Sequence, residues 1–331
     1  MGVFAGFRWW SGCAVVFAVT CGGEPADEGP LAGAASSGNG SDAVSAASSG
    51  QGGAGGAGGA TGTSVSTTGG GMPQQDVFGI AMIYPTLPGS AAWTSAHWAG
   101  QNYTIGDMLD PLDPQGISGH RGNGTLTVAS GTLTMSGSQP RLYIYPYEAT
   151  GWRDVEFTVY YMRVADDATA WGGLVVGARS GADGHTSGTP CDAHTYYSRM
   201  RHDGAFDFEK ELMHTPSSTR NRVEPEQAWP PDGVLPTNQW IGWKYVIFND
   251  GQGVHLESYR DLTEGVDGGD WIRVNQADDH GGWFTDTTCS AHTPTNGESD
   301  QLILDGGVSF IRNTGVTDAR YRWITVREIQ P

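Results

Sequence analysis

Lysine is almost missing from this chain: Lys210 and Lys244 are the only two. Acidic side chains outnumber Lys and Arg by 36 to 18, and the formal net charge is -18. That shortage of positive charge argues against a nucleic acid or an anionic membrane surface as the main partner. Cysteine is scarce as well, with four in 331 residues. Beyond the first 25 residues no apolar run approaches the ~20 needed to cross a bilayer as a helix. Helical periodicity is nearly absent too, which excludes an α/β fold with alternating helices.

Glycine, by contrast, is abundant, and much of the 51-residue total lies early. Arg8, Trp9 and Trp10 precede the apolar stretch Cys13-Ala14-Val15-Val16-Phe17-Ala18-Val19, which ends in Thr20-Cys21-Gly22-Gly23. This charged, apolar, small-residue order predicts an export signal over 1–21. It also resembles a bacterial lipoprotein signal, which implies acylation at Cys21 and a cell-surface location, with plain secretion as the alternative. Residues 22–75 are almost entirely Gly, Ser, Ala and Thr without one aromatic side chain. Such a segment cannot bury enough apolar surface to offset the entropy of ordering its backbone, so a flexible tether is expected.

Residues 76–331 carry 10 of the 12 tryptophans and form one expected domain. Exported chains meet an oxidising compartment, and once Cys13 and Cys21 are assigned to the signal only Cys191 and Cys289 remain. Their pairing would close a loop of about 100 residues and stabilise the fold by roughly 4 to 5 kcal/mol in the chain-entropy account. Short alternating runs bounded by Gly, Asp, Asn and Pro predict strands at 78–84, 125–129, 132–136, 141–147, 154–164, 172–178 and 195–202. Further strands are predicted at 205–212, 240–249, 255–260, 271–275, 308–313 and 320–328. About a dozen strands without helices mean an all-β fold: two antiparallel sheets packed as a sandwich or jelly roll. A monomer is expected.

Four segments resemble a group of secreted proteins with the concanavalin A-like jelly roll. They are Phe78-Gly79-Ile80-Ala81-Met82-Ile83-Tyr84-Pro85-Thr86, Tyr196 to Gly204 with Phe208-Glu209-Lys210-Glu211, Trp240-Ile241-Gly242-Trp243-Lys244-Tyr245, and Ile324 to Ile329. The resemblance implies that fold, which is shared by alginate- and glucuronan-lyase families, laminarinase-type hydrolases and lectins without catalysis. The motifs of the best-known alginate lyases are not present as such, so the fold alone does not choose a chemistry.

The hairpin from Thr195 to Leu212 carries the densest chemistry. A two-residue turn at Asp203-Gly204 would pair Arg201 with Phe206, Arg199 with Phe208 and Tyr197 with Lys210. One face would then hold Tyr197, Arg199, Arg201, Phe206, Phe208 and Lys210, and the other Asp207, Glu209 and Glu211. The cationic, aromatic face suits β-elimination on a uronate-containing polysaccharide. A positive group neutralises the sugar carboxylate, a base takes the adjacent C5 proton and an acid protonates the departing O4. Tyr197, Arg199, Lys210, His194 and His214 are the catalytic candidates. Arg179, Arg201, Trp229 and Lys244 are the candidates for gripping substrate, with Trp229 expected to be exposed in its proline-rich loop.

The acidic face suits a retaining glycoside hydrolase, in which two carboxylates must sit roughly 5 to 5.5 Å apart. A carbohydrate-binding jelly roll without catalysis is the further alternative. No cofactor is required for elimination. The loop from Asp261 to Asp270, with four carboxylates and free backbone, is a candidate for structural calcium, and an ordinary acidic turn is the competing reading.

Overall fold

Alternation along the strands decides which side chains meet. In the segment starting at Val155, the residues Val155, Phe157, Val159 and Tyr161 point one way and are all fully buried. The computed structural model describes residues 74–106, 108–146, 151–181, 193–213, 217–283 and 302–331. The expected signal, the tether up to residue 73, Cys21, the Cys191–Cys289 pair and His214 lie outside the described residues.

Fourteen strands are described, joined in antiparallel ladders. They are β1 Ala92–Thr94, β2 Asn102–Ile105, β3 Ser118–Ala129, β4 Thr132–Ile144, β5 Val155–Asp166, β6 Gly173–Ser180 and β7 Thr195–Arg201. The rest are β8 Phe206–Glu211, β9 Ser217–Val223, β10 Ile241–Asn249, β11 Val254–Asp261, β12 Ile272–Asp279, β13 Val308–Arg312 and β14 Val316–Glu328. The one described α-helical turn is Pro225–Ala228. The order β12-β11-β10-β5-β14-β4-β13-β6-β7-β8-β9 is continuous because β4 serves two sheets. Its first half pairs with β14 and its second half with β13, while β3 follows it along its whole length.

The bend needs glycine. Gly137 has φ +131, and a Cβ there would stand 2.4 Å from Gly124 Cα across the ladder. This bend makes one strand of the expected pair at 132–136 and 141–147. It folds the ribbon into a first sheet (β12-β11-β10-β5-β14 and the start of β4) facing a second (the end of β4, β13, β6, β7, β8, β9). The result is the antiparallel two-sheet jelly-roll sandwich.

Between the sheets pack Trp243, Tyr245 and Ile247 from β10, Leu174 and Val176 from β6, and Met200, Phe206 and Phe208 from β7 and β8. Each fully buried large side chain of this kind contributes about 1.5 to 3 kcal/mol. Ser198 Oγ meets Ser258 Oγ at 2.7 Å and accepts a hydrogen bond from Trp243 Nε1 at 2.9 Å, tying the sheets together through the core.

The expected strand at 78–84 is instead an irregular strap across the outer face of the first sheet. Four of its backbone donors go to carboxylates rather than to a ladder. Phe78 and Ile80 donate to Asp76 at 2.8 and 3.0 Å, and Ile83 and Tyr84 donate to Glu156 at 3.0 and 3.1 Å. Beneath it, Ile80, Val246, Tyr160, Tyr259 and Trp271 form a second apolar cluster.

Candidate functional site

The turn between β7 and β8 is one residue longer than expected. Arg201 donates to Ala205 O at 3.0 Å and Gly204 to Arg201 O at 2.9 Å, so the loop is His202-Asp203-Gly204, with Gly204 at φ +88. A three-residue hairpin ending in a left-handed glycine is a standard solution, and Asp203 favours it by accepting from Ala205 N at 3.1 Å. Tyr197 therefore faces Glu209, Arg199 faces Asp207 and Tyr196 faces Lys210. A one-residue slip exchanges the two faces of β8. Phe206, Phe208 and Lys210 turn into the core, while Asp207, Glu209 and Glu211 join Tyr197, Arg199 and Arg201 on the outer face of the second sheet.

This register places the expected residues as follows. Arg199 is held by Asp207 at 2.5 and 2.9 Å and by Glu209 at 2.5 Å, so its charge is met by two carboxylates of its own chain. The same contacts clamp two members of the carboxylate trio expected for a hydrolase, and the third, Glu211, accepts from the Tyr197 hydroxyl. Arg201 pairs with Asp203 at 2.9 Å. Lys210 is fully buried between the sheets, 2.7 Å from Asp279, which also accepts from Tyr196 at 2.5 Å. It is thus on the opposite face from Tyr197 and Arg199.

Lys244, placed at a substrate surface by sequence, lies under the strap. Its ammonium donates to Glu156 at 2.8 Å and Thr158 at 2.7 Å and sits 4.5 Å above the Trp271 ring. Arg179 is likewise fully buried, bonded to Arg153 O at 2.9 Å, Asn249 at 2.8 Å and Ile303 O at 2.7 Å. Neither can reach a sugar carboxylate. Both expectations fail because a strand cation reads the same from sequence whether its face meets water or another layer.

Trp229 is 5% exposed rather than open. Its Nε1 donates to Gly204 O at 2.8 Å and its ring packs edge-on against Phe206 at 5.3 Å, so the proline-rich loop seals the β7–β8 turn. His194 is half-buried immediately before β7. In the acidic loop, Asp261 is saturated by the chain itself. Its oxygens accept from Thr263 N, Gly265 N and Asp270 N, all at 2.9 Å, and from Tyr160 Oη at 2.8 Å. The loop is an aspartate-centred turn, with that carboxylate already committed.

A cationic, aromatic face does exist, built largely from residues that the sequence reading passed over. Arg121 of β3 pairs with Arg141 of β4, which pairs with Arg312 of β13. These three guanidinium side chains therefore occupy one rung, about 5 Å from strand to strand. The next rung carries Tyr143, Phe310 and Tyr197, with Tyr143 to Phe310 at 5.1 Å and Phe310 to Tyr197 at 5.8 Å between ring centres. Arg312 lies 5.6 Å above the Tyr197 ring and Arg121 5.5 Å above Tyr145, which confirms the shared outer face.

Arg121 donates to His120 O and Arg141 to Gln139 Oε1, both at 3.1 Å. Both acceptors are neutral, and among the described residues neither arginine is in an ion pair. The buried Nε of Arg141 has no hydrogen-bond partner there. Exposure is graded across the face, from half-buried Arg121 and Tyr145 through Arg141 at 8% to fully buried Tyr197.

Burial pushes the Tyr143 phenol above its usual range, opposed by Arg141, Arg312 and Arg121. Burial and then Glu211 push Tyr197 well above it. Both phenols are proton donors at neutral pH. Like charges placed side by side on a sheet disfavour one another, so Arg121 and Arg141, in no ion pair among the described residues, are suited to an incoming anion. Arg forks bind carboxylates through paired, charge-assisted hydrogen bonds.

No known protein family matches the sequence, and no curated protein matches it. Among solved structures the chain is similar to the alginate lyase Aly36B, with 13% identity over 73% of this chain and 98% of that one, at a TM-score of 0.42. It is also similar to arcelin-5, a lectin-like defence protein from Phaseolus vulgaris, with 10% identity over 70% of this chain and 99% of that one, at a TM-score of 0.40. A third similar structure is the exoplasmic/lumenal domain of VIP36 in a Ca2+/Man3GlcNAc-bound form, with 8% identity over 69% of this chain and 89% of that one, at a TM-score of 0.37. What the chain does has to be read from its own residues.

Proposed function

We propose that this chain is an exported or surface-tethered jelly roll that binds a uronate-containing polysaccharide on the outer face of its second sheet and cleaves it by β-elimination. The observation that carries the reading is the rung Arg121-Arg141-Arg312 beside the phenols of Tyr143 and Tyr197. Arg121 and Arg141 neutralise the sugar carboxylate, which acidifies the C5 proton and stabilises the negative charge that grows toward the transition state. A base removes that proton, the C4–O4 bond breaks as the C4–C5 double bond forms, and an acid delivers a proton to O4. Tyr197, protonated and oriented by Glu211, fits the role of acid, and His194 at the edge of β7 that of base. Lys210, Lys244 and Arg179 hold the scaffold instead.

The full burial of Tyr197 and its bond to Glu211 favour a second reading, in which the face binds the anionic chain and does not cut it. One experiment separates the two. The protein is incubated with alginate, glucuronan, pectate and hyaluronan while ultraviolet absorbance follows the unsaturated product. A rise that is lost in Tyr197→Phe and Arg141→Ala supports elimination. Retention of the polysaccharide without absorbance leaves binding alone. New reducing ends without absorbance would return the assignment to Asp207, Glu209 and Glu211 as a hydrolase.

A further inference from the structure

We propose that Asp250, Asp278 and His280 form a binding site for one divalent transition-metal ion of the zinc class, at the far edge of the first sheet. Each offers one ligand atom, and all three atoms lie within 4.8 Å of one another. Two ligand atoms at ordinary zinc distances of ~2.0 to 2.2 Å in tetrahedral geometry stand about 3.4 Å apart, so side-chain movements of roughly an ångström close the set around an ion. All three side chains are open to solvent, at 25%, 47% and 42% exposure, which leaves an entry path and room for water as a fourth ligand.

The backbone fixes the cluster. Asp250 is in the turn between β10 and β11, and its Oδ1 is occupied by Gln252 N at 2.8 Å and Gly253 N at 2.7 Å, which leaves Oδ2 directed at His280 Nε2, 2.8 Å away. The β11–β12 ladder pairs Val254 with Asp279 and His255 with Asp278. Gly253 lies so close to that strand end that a Cβ would stand 2.1 Å from Asp279 O. On the other side His255 Nδ1 sits 2.5 Å from Asp278 Oδ1, with its ring 4.8 Å from that of Phe248. His255 is therefore a positioning residue, holding a metal-binding carboxylate by a hydrogen bond as outer-shell groups commonly do.

The donor set selects the ion. One imidazole nitrogen with two carboxylate oxygens suits zinc, whereas calcium takes six to eight oxygens. The place also gives the ion a structural use. Two residues beyond His280 the backbone leaves the first sheet and is grasped by the second: Arg220 of β9 donates to Trp283 O at 2.7 Å, and Asn275 of β12 donates to Asn221 O at 2.7 Å. An ion on Asp250, Asp278 and His280 would clip the β10–β11 turn to this seam between the sheets. The arginine rung belongs to the other sheet, so the proposal stands independently of the polysaccharide reading.

The test is calorimetric titration of the full chain, stripped with a chelator, with Zn2+ and in parallel with Ca2+, each followed by a melting curve. The expected result is saturable uptake of Zn2+ that is weakened at least about tenfold by Asp250→Asn or His280→Gln, and about 10- to 100-fold by His255→Gln. Zn2+ should raise the melting temperature of the native chain and not of those variants. Polyuronate binding should be unchanged in all three. No saturable Zn2+ uptake, equal uptake by the variants, or Ca2+ binding more tightly than Zn2+ through these residues would overturn the proposal.

Discussion

Arg141 stands directly across the β4–β13 ladder from Arg312, with Arg121 on its other side. Arg121 and Arg141 share this rung with no ion pair among the described residues, and an anionic ligand relieves the cost of like charges side by side. Arg121→Ala and Arg141→Ala should each remove a charge-assisted contact of about 1.5 to 3 kcal/mol. Affinity for a polyuronate should fall by roughly tenfold to a hundredfold per substitution. The melting temperature should hold or rise. Calorimetry together with thermal denaturation checks both halves.

Lys210 should behave in the opposite way. It is buried against Asp279 between the sheets, so Lys210→Ala leaves a buried carboxylate without its ammonium. Breaking such a pair costs about 3 to 5 kcal/mol. Denaturant unfolding should show that loss, while affinity per folded molecule for the polysaccharide stays near that of the native protein.

Gly204 carries the register of the hairpin. At φ +88 a Cβ would be strained in itself and would also stand 3.1 Å from Gly233 O. Gly204→Ala should destabilise by about 1 to 2 kcal/mol, measurable as a lower denaturant midpoint with an unchanged slope.

Acid should loosen the strap across the first sheet. Glu257 is buried, which alone would raise its carboxyl, but His255, Arg273, Tyr259 and Tyr84 hydrogen-bond to it and hold it at about 2 against an ordinary 4.5. A carboxyl depressed in the folded state contributes stability that is fully present above pH 4.5 and is lost as pH falls through about 2. Tyr84 ties this site to the strap through a 3.0 Å bond. Unfolding free energy measured between pH 6 and pH 2 should fall less steeply in Glu257→Gln than in the native chain.

The all-β class and most strands were legible because period-two alternation is a local signal, shown cleanly by Val155-Glu156-Phe157-Thr158-Val159 at the start of β5. The hairpin register was not legible. A loop of two residues or of three differs only in whether His202 or Arg201 closes it, and the carboxylate of Asp203 settles that through contacts invisible in one dimension. The arginine rung was hidden for a different reason. Arg121 and Arg141 meet across the long β3–β4 hairpin, and Arg312, far away in sequence, joins them only because β4 crosses from one sheet to the other at Gly137. Lys210, Lys244 and Arg179 misled for the converse reason, since their covering layers come from Asp279, from the strap and from the segment around Ile303.

The most direct test compares binding of a polyuronate with that of the same polymer after its carboxylates have been reduced to neutral alcohols, at low and at raised salt. Selective binding of the anionic form, weakened by salt and abolished in the Arg121→Ala, Arg141→Ala double variant, is the predicted result. Equal binding of both polymers, or undiminished binding by the double variant, would contradict a carboxylate-reading face on the second sheet.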